Sequence, residues 1–467
     1  MKRAAWHLVL LGLASFGPAQ ETSVPSESRP QTRQLCAMAI VAPARFLDQL
    51  APFVAWKKEH GVRATLMALE SLREGKGCDD AEKVKRWLYA QWRRNPALRH
   101  ALLVGDADLF PVRYMVLDRA TPQAFDYAFY PSDLYYADLA KPDGSFEDWN
   151  GKRDGFHAGY FGEVRGEKNK SDPINFDAVD YRPEIGVGRW PVSTDAELAT
   201  VIGKTIAWEQ ALVEQGDRLR RAAFFGVAGW IECRAALDQA ASSLPRTFAI
   251  EKRYYEDAAR KDHTPPPTRD EFVKLVNSGT GFVFHAGHGD ELSWAGCFDH
   301  RVIESLTNAS LPSVMFSIGC TTARFATRPP YEGYVDVDGK EHRGTNQGEV
   351  FTTPPPPPAL YHQGVYNPPG IGELFVKKDK TGAVAYIGCN TGGQPCAMTL
   401  LQGFCAAVGD PNCERLGDAW AKALRTYYER ERLAELVPNA DWYPPSIFFQ
   451  GMKYMLFGDP SLPLPGR

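Results

Sequence analysis

The sequence predicts an α/β protein in which helices cover both faces of a mostly parallel sheet, a three-layer α/β/α arrangement formed by two consecutive lobes. Two observations support this prediction. Short apolar runs bounded by Gly and Pro, which are typical of buried strands, alternate with segments of helical period. The chain of 467 residues is also longer than one ordinary domain and has ample length for a large core.

The predicted elements follow one another from residue 36 onwards. Strands that alternate with helices in this way imply right-handed parallel crossovers. We place the first lobe at 36–190 and the second lobe at 191–467. The predicted strands are 36–42, 63–68, 100–104, 181–191, 222–227, 282–284, 314–318 and 382–388, and the predicted helices are 46–60, 80–94, 193–210, 231–242, 269–277, 300–305 and 415–432.

The N-terminal segment, residues 1–20, resembles a secretory signal peptide. It begins with Lys2 and Arg3, continues with an apolar run too short to span a bilayer, and ends with small residues. A buried first helix is the less favoured alternative. Residues 21–35 are polar and rich in Pro and Ser, as in a flexible leader. We therefore expect an exported protein, secreted or periplasmic, that is not held at the membrane after signal cleavage.

Export would place the nine cysteines in an oxidising compartment. Nine is odd, so at least one thiol is left over. If Cys320 is that thiol, the other eight can form up to four disulfides, with Cys405 and Cys413 as a local candidate pair. No CxxC spacing occurs, which argues against a structural zinc cluster.

The balance of charge excludes one class of function. A formal net charge of −4 and a pI near 6.2 leave no basic excess, so the chain is not expected to bind nucleic acid by neutralising phosphates.

An irregular stretch at 113–182 is rich in aromatic, Gly and Asp residues. A loop of this length is usually functional or held by something other than periodic packing. A solvated acidic loop is the favoured interpretation, and a structural calcium ion is the alternative, although EF-hand spacing is absent. The candidate calcium ligands are Asp133, Asp138, Asp143, Asp148 and Asp154.

Two apolar strands end on residues with catalytic chemistry. The run GFVFHAGHGD ends near His288, and the run LPSVMFSIGCTTARF reaches Cys320. Ligands of open α/β sheets bind at the carboxyl ends of strands. A thiol acts as a nucleophile when a nearby imidazole takes and returns its proton. The two residues are therefore a candidate pair, with backbone N–H groups of Gly289 and Cys320 available to an oxyanion.

Each of these residues also has a structural interpretation. A His at a strand end is often a satisfied polar group, and a Cys after a buried strand more often belongs to the core or to a disulfide. The HxxH spacing of His285 and His288 suggests a metal, but the segment is a strand running into a Gly turn and not a helix that presents both rings on one face. A metal-dependent hydrolase is thus kept as an alternative.

Five short segments occur in a characteristic order. They are EIGVGRWPV at 184–192, HAGHGD at 285–290, SIGC at 317–320, GAVAYIG at 382–388 and LFGDPSLPL at 456–464. Together they resemble the gingipain-like cysteine peptidases, which belong to the caspase-fold clan, over roughly residues 36 to 464. The resemblance implies a caspase-like fold and a thiol protease that acts on protein or peptide substrates.

The resemblance also implies roles for individual residues. His288 is the catalytic base and Cys320 the nucleophile. Glu184, which precedes the Gly-Arg of the strand motif, matches an acidic residue that the family places near the His, and is assigned as the orienting carboxylate. Asp195 stands near the position of an acidic residue that binds basic side chains in the primary pocket.

Two features depart from the family pattern and leave specificity open. The segment 326–370 is rich in Pro and Tyr, and Cys389 occupies a strand end where the family more often has a small polar residue beside the substrate pocket. We expect Cys389 and Asn390 to contact substrate.

We therefore predict an exported cysteine endopeptidase that forms a thioester acyl-enzyme, requires no cofactor for its chemistry and is a monomer. The alternative is a noncatalytic caspase-fold protein that serves as a binding or secretion-scaffold module. A disulfide at Cys320 would favour that alternative.

Overall fold

The structure is a computed structural model that describes residues 36–117, 128–151, 159–164, 174–175, 177–261, 263–351, 356–360, 367–379, 381–437 and 443–466. The predicted signal peptide and leader, at 1–35, lie outside these residues. Within them, no helix combines the length and apolar character that a membrane crossing requires.

Ten strands of the described chain form one continuous sheet, which confirms the predicted α/β class. The strands are β1 (Cys36–Ala42), β2 (Val62–Ala68), β3 (Leu98–Val104), β4 (Gly186–Trp190), β5 (Arg221–Gly226), β6 (Ala249–Tyr254), β7 (Phe282–Ala286), β8 (Ser313–Ser317), β9 (Ala383–Cys389) and β10 (Tyr454–Phe457). Across the sheet they stand in the order β2-β1-β3-β4-β10-β9-β8-β7-β5-β6. The lobe boundary predicted near residue 190 falls within this sheet and stays a prediction.

The sheet consists of two parallel halves that run in opposite directions. Strands β2, β1, β3, β4 and β10 are parallel to one another, and so are β9, β8, β7, β5 and β6. The halves meet at the antiparallel pair β9 and β10, where Cys389 aligns with Tyr454. The carboxyl ends of β7, β8 and β9 therefore lie at the edge of the sheet where β4 begins.

Helices cover both faces of the sheet, as predicted. Phe284 of β7 and Phe316 of β8 belong to the core on one face of the sheet. The residues just before them, Val283 and Met315, belong to the core on the other face. This alternation follows from the two-residue period of a strand. The helices are α1 (Leu47–Glu59), α2 (Asp80–Arg94), α3 (Leu134–Ala137), α4 (Asp195–Leu219), α5 (Arg234–Ser242), α6 (Arg269–Asn277), α7 (Ile371–Lys377), α8 (Met398–Gly409), α9 (Leu416–Arg430) and α10 (Tyr443–Gln450).

Short strand pairs lie outside the main sheet. Gly289–Asp290, Ser293–Trp294 and Phe298–Asp299 form a small antiparallel sheet directly after β7. Tyr114–Val116 pairs with Phe129–Pro131, and Tyr334–Val335 pairs with Glu341–His342.

The cysteines lie in the described part of the chain, and the structure joins no two of them by a disulfide. The predicted disulfides, including a Cys405–Cys413 pair, are therefore not found. Cys233, Cys389 and Cys405 are fully buried in the apolar core, where a thiol packs as a small hydrophobic side chain.

Candidate active site

The turns that follow β7 and β8 touch one another. A Cβ atom built on Gly289 would lie 3.1 Å from the carbonyl oxygen of Cys320, and one built on Gly319 would lie 3.0 Å from Cα of Gly289. Contacts this short leave no room for a side chain at Gly289 or Gly319, so the backbones approach as only glycine permits. The structure thus brings the turn that contains His288 against the turn that contains Cys320.

The His288 ring is exposed, and one of its nitrogens is fixed by the backbone. Its Nε2 lies 2.9 Å from the carbonyl oxygen of Gly229. A carbonyl only accepts, so Nε2 carries the proton and Nδ1 is left as the acceptor. Gly229 follows β5 and has φ +96°, a left-handed conformation that favours glycine. Sequence reasoning missed Gly229 because a backbone oxygen leaves no side-chain signal.

The Cys320 side chain is half-buried between the turns that follow β8 and β9. The N–H of Gly393 donates to Sγ of Cys320 at 3.2 Å. The next residue, Thr321, has φ +54°, and its N–H donates to the carbonyl of Thr391 at 2.7 Å. These contacts fix the thiol at the carboxyl ends of two neighbouring strands.

A buried polar pair, His285 and Ser317, contacts the turn that contains Cys320. Nδ1 of His285 is 2.8 Å from the hydroxyl of Ser317, and that hydroxyl accepts from the N–H of Gly319 at 3.1 Å. The His285 ring stacks on Trp294 with centroids 4.4 Å apart, and burial lowers its pKa to about 3.

The alternative of a metal site gains no support from these positions. His285 is completely buried, whereas His288 is exposed and bonded to Gly229. Among the described residues, no group of three or more His, Cys, Asp or Glu side chains is arranged to hold a metal ion.

The acidic loop is solvated only in part, since Asp143 is exposed whereas Asp133 and Asp138 are buried. Asp133 is buried and forms a 2.7 Å ion pair with Arg189, and the buried Asp138 accepts from the indole N–H of Trp149 at 2.7 Å. These carboxylates are structural, since each is engaged inside the protein. Asp154 lies outside the described residues.

The structure does not bring Glu184 to His288. Glu184 lies two residues before the start of β4, and three strands separate β4 from β7. At about 4.8 Å between neighbouring strands, four steps amount to roughly 19 Å. The carboxylate instead accepts from the N–H groups of Leu139 and Ala140 at 2.6 and 3.1 Å, and burial raises its pKa. The predicted orienting role is corrected accordingly, because Glu184 bonds to Leu139 and Ala140 whereas Nε2 of His288 faces the Gly229 carbonyl.

Asp195 lies at the opposite edge of the sheet from Cys320. It begins α4 just after the carboxyl end of β4, which runs against β7 and β8. Thr194 and Glu197 form a capping box around it, and its carbonyl accepts from Gln49 at 2.9 Å. Asp195 is thus a first-turn acid of a helix, and its predicted place in the substrate pocket is corrected.

Cys389 and Asn390 are too deeply buried to contact substrate as predicted. Cys389 is fully buried, which raises the pKa of its thiol to about 12. The side-chain amide of Asn390 donates to the carbonyl of Pro131 at 2.6 Å. The residues that reach the site from this strand end come one to three positions later, at 391–393.

A cavity of about 340 Å³ lies next to Thr321, the residue that follows Cys320. Arg328 is the charged residue in the described lining, and its guanidinium pairs with Glu291 and Glu332, each at 2.9 Å. Sequence reasoning missed this pocket, although the turn Thr391-Gly392-Gly393 after β9 was a visible signal. The lining residues are Phe129, Tyr130, Thr321, Arg328, Tyr331, Thr391 and Gly392.

The structure has one sheet covered by helices on both faces, with a thiol and an imidazole on adjoining turns at its edge. Caspase-fold cysteine peptidases share this arrangement. The chain belongs to peptidase family C25, whose family model matches residues 31–465. The recognised resemblance to gingipain-like peptidases is confirmed by this match.

Relatives in this family are distant. Gingipain R2 of Porphyromonas gingivalis is 20% identical over 297 residues, which are 63% of this chain and 33% of that protein. Lys-gingipain of the same species is 26% identical over 187 residues, 38% of this chain and 11% of that protein. The matched segments therefore cover a third or less of the length of these relatives.

Solved structures confirm the caspase-like fold. The crystal structure of the Arg-specific cysteine proteinase gingipain R superposes with a TM-score of 0.59 at 16% identity, covering 93% of this chain and 79% of that one. The complex of the pro- and mature domains of the same proteinase from Porphyromonas gingivalis gives a TM-score of 0.58 at 16% identity, covering 91% and 79%.

Proposed function

We propose that this protein is a cysteine endopeptidase in which Cys320 is the nucleophile and His288 the catalytic base. The observation that supports this most strongly is the contact between the two turns, which leaves no side chain between Gly289 and Gly319. Membership of a peptidase family agrees with it and implies protein or peptide substrates.

In this mechanism Nδ1 of His288 takes the thiol proton of Cys320 as Sγ attacks the scissile carbonyl carbon. The oxyanion of the tetrahedral intermediate accepts from the backbone N–H groups of Gly289 and Cys320. The C–N bond then breaks, and the leaving amine takes the proton from His288. Water, deprotonated by the same ring, hydrolyses the thioester and restores the thiol.

The Gly229 carbonyl supports both roles of the imidazole. Its partial negative charge faces the Nε2–H, 2.9 Å away, and stabilises the imidazolium that forms when Nδ1 gains a proton. It also leaves Nδ1 without a proton, so that this nitrogen can accept one. No carboxylate is needed for this, so Glu184 has no part in the proposed mechanism.

The substrate side chain next to the scissile bond would enter the cavity next to Thr321. Three of its described lining residues, Phe129, Tyr130 and Tyr331, are aromatic, and Arg328 supplies the charge. A side chain that stacks on a ring or meets the guanidinium is favoured there.

We also propose, from residues 1–20, that the protein is exported. We further propose that it acts as a monomer. Both proposals are separate from the mechanism.

The decisive experiment profiles cleavage of a mixed peptide library by the parent protein and by Cys320→Ala and His288→Ala. Each substitution should reduce kcat/KM by about a thousandfold or more, since removal of either partner of such a pair disables the chemistry. The matched control is Cys78→Ala, which removes an exposed thiol and should leave the rate unchanged.

Two results would overturn the proposal. Failure of the folded parent to cleave any peptide would favour a noncatalytic binding or scaffold protein. Cleavage that survives Cys320→Ala but is lost with a chelator would favour a metal-dependent hydrolase.

A further inference from the structure

A second thiol, imidazole and carboxylate lie in a hydrogen-bonded series far from Cys320. Sγ of Cys36 is 3.2 Å from Nδ1 of His100, and Nε2 of His100 is 3.0 Å from a carboxylate oxygen of Asp418. Cys36 begins β1, five positions from β8 in the sheet, which at about 4.8 Å a step is roughly 24 Å. The proposed peptidase mechanism uses none of these three residues.

Three elements of the fold build this series. β1 and β3 are neighbours, with Met38 aligned to His100. Asp418 lies in the first turn of α9, where a Cβ built on Gly417 would be 2.8 Å from the His100 ring. The ring is therefore locked between strand and helix. His100 is completely buried, whereas Cys36, the first residue of its strand, is 8% exposed.

The charges around the pair favour its ionised form. Burial by itself would lower the pKa of His100, but its hydrogen bonds to Asp418 and Cys36 raise it to about 9. Burial and, more weakly, the charge of Asp418 would raise the pKa of Cys36, yet the hydrogen bond and charge of His100, with the charge of Arg415, bring it below its ordinary value. Cys233, which has no such partner, has its pKa raised to about 11 by burial. A thiolate beside an imidazolium is the nucleophilic form of cysteine.

We propose that Cys36, His100 and Asp418 form a second nucleophilic site, which exchanges with low-molecular-weight disulfides. The thiolate of Cys36 attacks one sulfur of the disulfide R–S–S–R, and a new S–S bond forms as the old one breaks. The departing thiolate takes the proton from Nδ1 of His100 and leaves as R–SH. One disulfide is consumed and one is formed, so no further oxidant is needed, and excess small thiol reverses the step.

Asp418 acts as the positioning residue of this site. It holds Nε2 of His100 and pairs with Arg99 at 2.9 Å, so its charge keeps the ring protonated towards Cys36. Removing that charge while keeping the shape should therefore weaken the thiolate without dismantling the core.

The test treats the Cys320→Ala protein with 2-hydroxyethyl disulfide at pH 7 and follows each cysteine by peptide mass mapping. The internal control is Cys78, which is exposed but whose pKa is raised to about 12 by burial of its sulfur and nearby carboxylates. We expect Cys36 to gain the adduct at least about tenfold faster than Cys78, since reaction rate follows the thiolate fraction. Excess 2-mercaptoethanol should remove the adduct.

Variants distinguish a site that activates Cys36 from hydrogen bonds that only stabilise the fold. Asp418→Asn, which is nearly isosteric, should slow the reaction of Cys36 about tenfold and leave Cys78 unchanged, and His100→Gln should slow it further. Buried Cys233 and Cys405 report unfolding, so the comparison is made where they stay unmodified. The proposal is overturned if Cys36 reacts no faster than Cys78, or as fast in Asp418→Asn as in the parent. Neither result depends on whether the protein is a peptidase.

Discussion

The Nε2 atom of His288 lies 2.9 Å from the carbonyl oxygen of Gly229, so a backbone atom and not a carboxylate orients the candidate base. The two residues come from different strand ends, β7 and β5, which are neighbours in the sheet. The hydrogen bond therefore depends on the conformation of a loop and not on the identity of a side chain.

The Gly229 loop offers a direct test of this orientation. A Cβ at Gly229 would meet nothing within 4 Å, so Gly229→Ala is opposed only by its φ of +96°. We expect the loop to relax and turn the carbonyl away, which lowers kcat about tenfold or more and changes KM little. The control is Gly203→Ala in α4, where a Cβ also has open space and no left-handed φ is required. Steady-state kinetics in which both variants keep the parent kcat would show that the carbonyl is dispensable.

The contact between the turn that contains His288 and the turn that contains Cys320 predicts a second effect. Gly319→Ala would place a methyl group 3.0 Å from Cα of Gly289 and push the turns apart. We expect kcat/KM to fall at least about a hundredfold, since misplacement by about 1 Å is costly in catalysis. Gly216→Ala, which meets nothing within 4 Å, is the control and should cleave the same peptides at the parent rate. A Gly319→Ala protein with normal kcat/KM would mean that the turns need not touch.

The pocket next to Thr321 predicts which residues govern specificity. Arg328→Met removes a positive charge from the wall of the pocket. The kcat/KM for peptides with Lys or Arg before the scissile bond should therefore rise relative to the kcat/KM for peptides with Asp or Glu there. A gain of about tenfold in that ratio of kcat/KM corresponds to about 1.4 kcal/mol, a reasonable value for a partly screened charge. Asp195→Asn should leave the ratio unchanged because Asp195 lies at the opposite edge of the sheet. If Asp195→Asn changed this ratio in a peptide panel and Arg328→Met did not, Asp195 and not Arg328 would be the residue that contacts the substrate side chain.

The buried His285 predicts a pH dependence of stability. Its pKa is lowered to about 3 by burial, whereas a histidine in the unfolded chain titrates near 6.5. Below pH 6.5 the unfolded state thus binds a proton that the native state does not, so this group destabilises the fold progressively as the pH falls towards 3. The free energy of unfolding should fall by about 1.4 kcal/mol per pH unit from this group.

Urea unfolding at several pH values between 6 and 4 checks this sign. His285→Asn keeps a polar group facing Ser317 but cannot titrate, so the slope of unfolding free energy against pH should become shallower by about 1.4 kcal/mol per unit. An unchanged slope would mean that His285 is not the group that takes up the proton.

Local signals in the sequence were sufficient to predict β7 and β8 and the residues that follow them. Each strand is a short apolar run that ends in glycine, and the turn after it carries His288 or Cys320. Strand identity and the turn chemistry are properties of a few consecutive residues, which is why these assignments did not need the rest of the fold.

The positions of the remaining site residues could not be predicted from local sequence, because they depend on how distant segments pair. β10 is parallel to β4 but antiparallel to β9, and this reversal puts Asp195 at the wrong edge of the sheet. No local pattern reveals it. The pocket residue Arg328 likewise lies in an irregular segment whose position is set by its ion pairs with Glu291 and Glu332.

The central claim, that Cys320 is a nucleophile activated by His288, is tested most directly by covalent capture. The protein is incubated with a peptidyl acyloxymethyl ketone whose peptide is taken from the best-cleaved library sequence, and the labelled residue is identified by mass mapping. We predict one label per chain, on Cys320, and its loss in His288→Ala while Cys78→Ala labels as the parent does. Labelling of a different cysteine, or of Cys320 at the same rate without His288, would contradict the claim.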